Sequence, residues 1–205
     1  MKTAKEWFSD GMTRLSTFSV EGLLPSLVHC SDGAIQDVKN INGCCYYQWS
    51  ACLADVMRPR QVVELGGAMG VWSLCILHYL PQESHLYSIT LPENGIEFSF
   101  IKDQYPNLTM ILGNDLDLDN FHGVGLVSTD LWFIDSEHTP EHLTKELDLY
   151  SPFFKKGALV LLDDIRSFGL FPVWERFRQG EWGEVDCYEA TDPLHYSGYG
   201  LAVKL

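Results

Sequence analysis

Two groups of acids carry most of the chemistry this sequence offers. One is Asp135-Ser136-Glu137-His138-Thr139-Pro140, which follows the apolar run 131–134, and the other is Asp163-Asp164, which follows the apolar run 158–162. Each run reads as a buried strand, so each acid stands at a strand's carboxyl end. Neighbouring strands lie ~4.8 Å apart, and at that spacing Asp135, Asp163 and Asp164 meet in one crevice. Like charges so close raise one another's pKa unless a cation lies between them. An all-oxygen set suits Mg²⁺, Mn²⁺ or Ca²⁺ better than zinc. Other employment for these acids stays open: Asp135 as the cap of the next helix, Asp163 and Asp164 as partners of Arg166. Thr139-Pro140 already makes a good N-cap and first-turn pair, which leaves Asp135 free. His138 is the candidate general base, because an imidazole takes up a proton near neutral pH. Glu137 is the alternative base, although an exposed glutamate ionises well below neutrality. His142, one helical turn further on, is expected at the surface.

A second constellation is Val63-Glu64-Leu65-Gly66-Gly67-Ala68-Met69-Gly70-Val71-Trp72-Ser73, a strand running into a helix. Glycines at such a turn let a ligand approach the backbone, and the helix N-terminus offers unpaired N–H groups, which together imply a nucleotide-like ligand. The dinucleotide fingerprint G-x-G-x-x-G fails at Ala68 and Val71, which disfavours an NAD-dependent oxidoreductase. With Glu64 two residues before Gly66 and Gly70 four after it, the turn resembles the E-x-G-x-x-x-G motif of class I S-adenosylmethionine-dependent methyltransferases. The resemblance implies cofactor contacts from Glu64, Gly66, Gly67, Ala68, Gly70 and Ser73. It also implies a ribose at the end of the second strand, where Thr90 stands in the place of the usual acid and Glu93 follows the Pro92 turn, and an adenine against Asp115 of Gly113-Asn114-Asp115. A turn that serves packing alone, Glu93 as a solvated first-turn residue and Asp115 as a helix cap are the plainer alternatives.

Residues 130–141, taken with Lys155-Lys156-Gly157-Ala158 and the run up to Asp163-Asp164, resemble the metal-dependent small-molecule O-methyltransferases related to sugar-modifying antibiotic enzymes. Their pattern reads I-D-G-x-H, a helix, then P-G-G-x-x-x-x-D-D. Here Ser136 stands for the glycine and Lys156-Gly157-Ala158 for the proline and glycines. The resemblance covers most of 61–164, and 200–203 fits a family-like last strand. It implies transfer of a methyl group from S-adenosyl-L-methionine to an oxygen of a small-molecule acceptor, with a divalent cation on Asp135, Asp163 and Asp164 and with Asp135 also facing the cofactor. Metal-free N- or C-methylation, and a cofactor-binding module without turnover, are the competing readings.

These residues need a scaffold, and the pattern supplies one. Strands at 61–65, 85–89, 108–112, 131–135 and 158–163 alternate with helical stretches near 70–80, 95–105, 118–127, 140–154 and 171–179, which means βαβ units and a mostly parallel sheet. Two strand-like stretches, 184–189 and 199–205, follow with no helix between them and make a closing antiparallel hairpin. The expected fold is a doubly wound, seven-stranded α/β sheet of the Rossmann-like methyltransferase type, its ligand site at the strands' carboxyl ends. Residues 1–60, broken by Gly22, Pro25, Asp32-Gly33 and Asn42-Gly43 and ending in a helix over about 44–57, form a helical arm or lid on the domain 61–205. Tyr46, Tyr47 and Trp49 are candidates to floor the cofactor site or to fill the core. The loop Asp192-Pro193-Leu194-His195-Tyr196 is a candidate contributor to acceptor choice.

Composition narrows the partners. With 205 residues, 46% of them apolar, the chain is long enough for a sizeable core without a disulfide or metal staple. Its formal charge of −14 opposes nucleic acid and anionic membranes, whose affinity comes from Lys and Arg. The N-terminus lacks the apolar core of a signal peptide and no run is long enough to span a bilayer, so a soluble, cytoplasmic protein is expected, with homodimerisation open. The six cysteines include no C-x-x-C pair and are expected reduced, the adjacent Cys44 and Cys45 being poorly placed to bridge.

Overall fold

A computed structural model of the chain describes all residues except 24–26, 28–31, 40–44, 69, 93–103 and 193, and the backbone alone at 32–34 and 37. Gln61–Leu65 (β1), His85–Thr90 (β2), Leu108–Leu112 (β3), Leu131–Ile134 (β4), Leu159–Leu162 (β5), Val185–Ala190 (β6) and Tyr199–Lys204 (β7) form one sheet in the order β3-β2-β1-β4-β5-β7-β6. The first five strands are parallel, and β7 runs antiparallel to both β5 and β6. The chain winds outward from β1 to β3 and returns to the other side at β4. Where the direction of winding reverses, the loops after β1 and β4 part and leave a crevice.

Side chains alternate across the sheet, so each strand serves two cores. Val62, Leu86, Phe133, Leu161 and Leu201 face one layer; Val63, Ile89, Trp132, Val160 and Ala202 face the other. The first layer is closed by Ala4–Leu15 (α1), Tyr46–Met57 (α3) and Val71–Leu77 (α4). Asp32–Lys39 (α2) precedes α3. A Cβ on Gly11 would lie 2.4 Å from the Trp49 ring, so this glycine lets α1 press onto α3, and the Trp49 indole N–H donates to the Phe8 carbonyl at 3.2 Å. Helices α1 and α3, from the stretch expected as an arm or lid, pack on this face of the sheet, where Trp49 is wholly buried; beside them Trp72 of α4 stacks on Phe133 of β4 at 4.3 Å. The second layer holds Pro140–Tyr150 (α5) and Phe171–Arg178 (α6), with Trp132, Tyr150 and Trp174 fully buried.

The observed elements depart from the expected ones at residues 118–127. Instead of a helix over 118–127 there are two 3₁₀ turns, Leu118–Phe121 and Leu126–Ser128. Gly123, at φ +85°, stops the first, since a left-handed residue ends a right-handed helix. The helix expected near 95–105 lies almost wholly outside the described residues. Cys52 and Cys187 are in no disulfide. No helix among the described residues is long and apolar enough to cross a membrane.

Candidate active site

A cavity of about 640 Å³ opens at the carboxyl ends of β1 to β4, and Gly66, Ala68, Thr90, Asp115, Asp135 and Glu137 line it. The glycine turn after β1 is tightly built. Gly66 and Gly67 donate their N–H groups to the Ile89 carbonyl at 3.1 and 2.9 Å, and Gly70, at φ +73°, is the N-cap of α4. A Cβ on Gly66, itself at φ +93°, would lie 2.0 Å from the Asp135 carbonyl oxygen. Its lack of a side chain is therefore required by the neighbouring strand end, whereas the sequence suggested the ligand as the reason.

Glu64 and Ser73, expected on the cofactor, face each other beneath the turn instead. The Glu64 carboxylate accepts from the hydroxyls of Ser73 and Ser88, the latter at 2.5 Å. Burial pushes its pKa up to about 7, against the two hydroxyls, which favour the charged form. Thr90 lines the cavity, and Glu93 lies outside the described residues.

Asp135 and the Asp163-Asp164 pair come together as the spacing predicted. Asp163 is buried, and its Oδ1 has no hydrogen-bond partner. Burial first, then the charges of Asp135 and Asp164, hold its pKa well above the carboxylate range. Burial also raises Asp135, opposed by the hydrogen bond from His138. Asp164 takes a left-handed backbone, φ +52°, unusual for a residue with a Cβ. Arg166, the plainer partner for these acids, pairs with Glu189 instead. The Nε2 atom of His138 stands 2.9 Å from Asp135 Oδ1 and 3.7 Å from Asp164 Oδ2, and its ring stacks on Phe168 at 4.9 Å. The Asp135 hydrogen bond raises the His138 pKa. Thr139 caps α5 with Pro140 in its first turn, so Asp135 has no capping duty.

One member of this cluster is expected from the sequence only as part of a loop that contributes to acceptor choice. His195, from the β6–β7 loop, places Nε2 3.6 Å from Asp163 Oδ1 and Nδ1 3.9 Å from Asp164 Oδ1. Two backbone bonds, Ile165 N–H to Gly198 O at 3.1 Å and Arg166 N–H to Ser197 O at 2.8 Å, clip that loop to the end of β5. Tyr46 presses on the His195 ring at 4.6 Å. Asp163, Asp164 and His195 offer ligand atoms within 4.8 Å of one another. The unpartnered Asp163 oxygen and this convergence fit a divalent cation, with Asp135, engaged by His138, alongside.

His142 is not at the surface. Its side chain is 13% exposed, lines the cavity, and brings Nε2 to 3.0 Å from Asp115 Oδ2. Asp115 caps no helix: it sits at the cavity's β3 end, between His142 and the buried Glu146.

A profile of the family described as Methyltransferase domain matches residues 63–165, about half of the chain. Among solved structures, the O-methyltransferase TomG of Streptomyces achromogenes, in complex with S-adenosylmethionine, superposes with a TM-score of 0.63 at 18% identity, over 100% of this chain and 99% of that one. An O-methyltransferase of Bacillus cereus in complex with S-adenosylhomocysteine gives 0.63 at 16% identity, over 93% and 100%. At such identities the likeness is one of fold. No curated protein matches the chain by sequence. The matched stretch runs from inside β1 to just past β5 and contains both the glycine turn and the three acids; the chain belongs to the methyltransferase domain family and has the class I fold of S-adenosylmethionine-dependent methyltransferases.

Proposed function

We propose that the protein transfers the methyl group of S-adenosylmethionine to a hydroxyl oxygen of a small molecule, with Mg²⁺, or Mn²⁺ or Ca²⁺ in its place, held at the ends of β4 and β5. The observation that carries this reading is the sharing of Asp135 between the cavity and the acid cluster, which sets a nucleotide-sized space directly beside a carboxylate seam. The fold likeness to two O-methyltransferases supports it.

Methyl transfer is an in-line displacement, so this chain's main task is alignment. Gly66 and Ala68 bound the cofactor at the turn, Thr90 takes the ribose end and Asp115 the base. Asp163 and Asp164, joined by His195, would hold the cation, which would make the acceptor hydroxyl more acidic. We assign His138 to take the hydroxyl proton. Glu137, exposed at the cavity rim, is the weaker candidate. Tyr46 of α3 covers the cluster from the side. Metal-free transfer is the second reading, favoured by His138, which already faces the acids and whose pKa the Asp135 hydrogen bond raises.

The test uses purified protein, a panel of phenolic and sugar hydroxyl acceptors and labelled cofactor. Turnover should vanish in EDTA and return with Mg²⁺ or Mn²⁺, while S-adenosylhomocysteine still raises the melting temperature. Full activity in chelator would select the metal-free reading, and a shift with NAD in place of S-adenosylhomocysteine would overturn the cofactor.

A further inference from the structure

The β3 end of the cavity holds a second cluster, in which the proposed function gives His142 and Glu146 no part. Asp115 Oδ2 faces His142 Nε2 at 3.0 Å, His142 Nδ1 faces Glu137 Oε2 at 3.5 Å, and Glu146 Oε1 stands 3.9 Å from His142 Nε2. Glu146 is buried and accepts from Ser136 Oγ at 2.7 Å. Burial, then the Asp115 charge, raises its carboxyl well above its ordinary pKa, which favours a proton shared with Asp115. Asn114, the other polar side chain here, is committed to the Leu116 N–H at 2.9 Å. Asp115 is thus held from behind by donors on α5 while its carboxylate lines the cavity.

We propose that His142, backed by Glu146, is a positioning residue that fixes Asp115 as acceptor for the exocyclic amine of the cofactor's adenine, and so sets a preference for adenine over a 6-oxo purine. The proposal rests on the cofactor reading above. The reacting sulfonium must face the acid cluster at the ends of β4 and β5, which leaves the β3 end of the cavity for the base. A carboxylate only accepts, and it has about four lone-pair sites, so two donors from α5 leave capacity for the ligand. An amine satisfies that capacity, whereas a purine carbonyl sets acceptor against acceptor. A hydrogen bond to a charged group is worth roughly 1.5–3 kcal/mol, about 10- to 150-fold in affinity. The lever is His142: without its N–H, Asp115 is free to turn away from the base.

Calorimetric titration with S-adenosylhomocysteine and its deaminated analogue, S-inosylhomocysteine, tests this. The wild type should prefer the adenine form by at least about tenfold. His142→Ala should erase most of that preference, His142→Gln, which restores a donor, should recover it, and Asp115→Asn should favour the 6-oxo form. An unchanged ratio in folded His142→Ala or, if that variant fails to fold, a ratio in Asp115→Asn equal to wild type would overturn the proposal. So would a preference lost in EDTA and restored by Zn²⁺, which would make Asp115, His142 and Glu146 a cation site. Wild-type protein that binds neither ligand would instead defeat the cofactor reading and this inference with it.

Discussion

Glu64 has lost all its water and kept two hydroxyl donors, and that balance has a measurable sign. Its folded pKa is raised from 4.5 to about 7, so the folded state holds the proton more tightly than the unfolded chain. The stabilisation is complete below pH ~4.5 and is lost as pH rises toward 7, by about 3 kcal/mol in all. Glu64→Gln removes the titration. Its stability relative to wild type should therefore improve by about 3 kcal/mol between pH 4 and pH 8, read from urea midpoints; a parallel pair of curves would show Glu64 ionised throughout. His138 carries the expectation with most bearing on chemistry. His138→Ala should lower turnover by about 10²–10⁴-fold with cofactor affinity nearly unchanged, and an unaltered rate in folded variant would remove the imidazole from proton transfer. The acids of this site were legible because carboxylates at strand ends need a reason to be there. His195 and His142 were not, since the pairing of His195 with Asp163 depends on a hairpin folding back across 32 residues of chain, and a helix face turned inward at His142 looks like any other turn of a polar helix.

The turn after β1 shows how an element's demands can pass for a ligand's. Gly66 reads as a cofactor glycine, yet the backbone of Asp135 already occupies the space where its Cβ would go. Gly66→Ala should cost at least about 2 kcal/mol, in the range of strain at a left-handed non-glycine position with a further clash added. The loss should appear in protein without any cofactor. Normal stability combined with lost binding would return the glycine to the ligand. Strand positions were legible from short apolar runs between polar helices, and all seven strands lie within a residue or two of expectation. The 118–127 segment was misjudged because its apolar spacing suited a helix while Gly123 and Gly125 set the backbone. The packing of α1 on α3 depends on Gly11 meeting Trp49, a long-range fit that no local pattern announces.

Across the whole molecule, 28 acids oppose 14 lysines and arginines, and the cleft concentrates that excess in Asp115, Asp135, Glu137, Asp163 and Asp164. Such a field draws in cations, which suits both a sulfonium cofactor and a divalent ion. The same concentration works against the fold, because three carboxylates gathered at adjacent strand ends repel and one of them, Asp163, is buried with an unpartnered oxygen. Function and stability should therefore pull in opposite directions at this residue. Asp163→Asn removes one charge and gives the cluster an N–H donor, so in EDTA the variant should melt above wild type. Wild type should gain from Mg²⁺ or Mn²⁺ by mass action, ~2.7 kcal/mol at 100 times the dissociation constant, and the variant should gain little, reversing their order in saturating cation. Differential scanning fluorimetry in chelator and across a cation titration reads both halves. A variant that melts below wild type in EDTA would mean that Asp163 stabilises the cation-free fold, and an equal cation response in the two proteins would place the ion elsewhere.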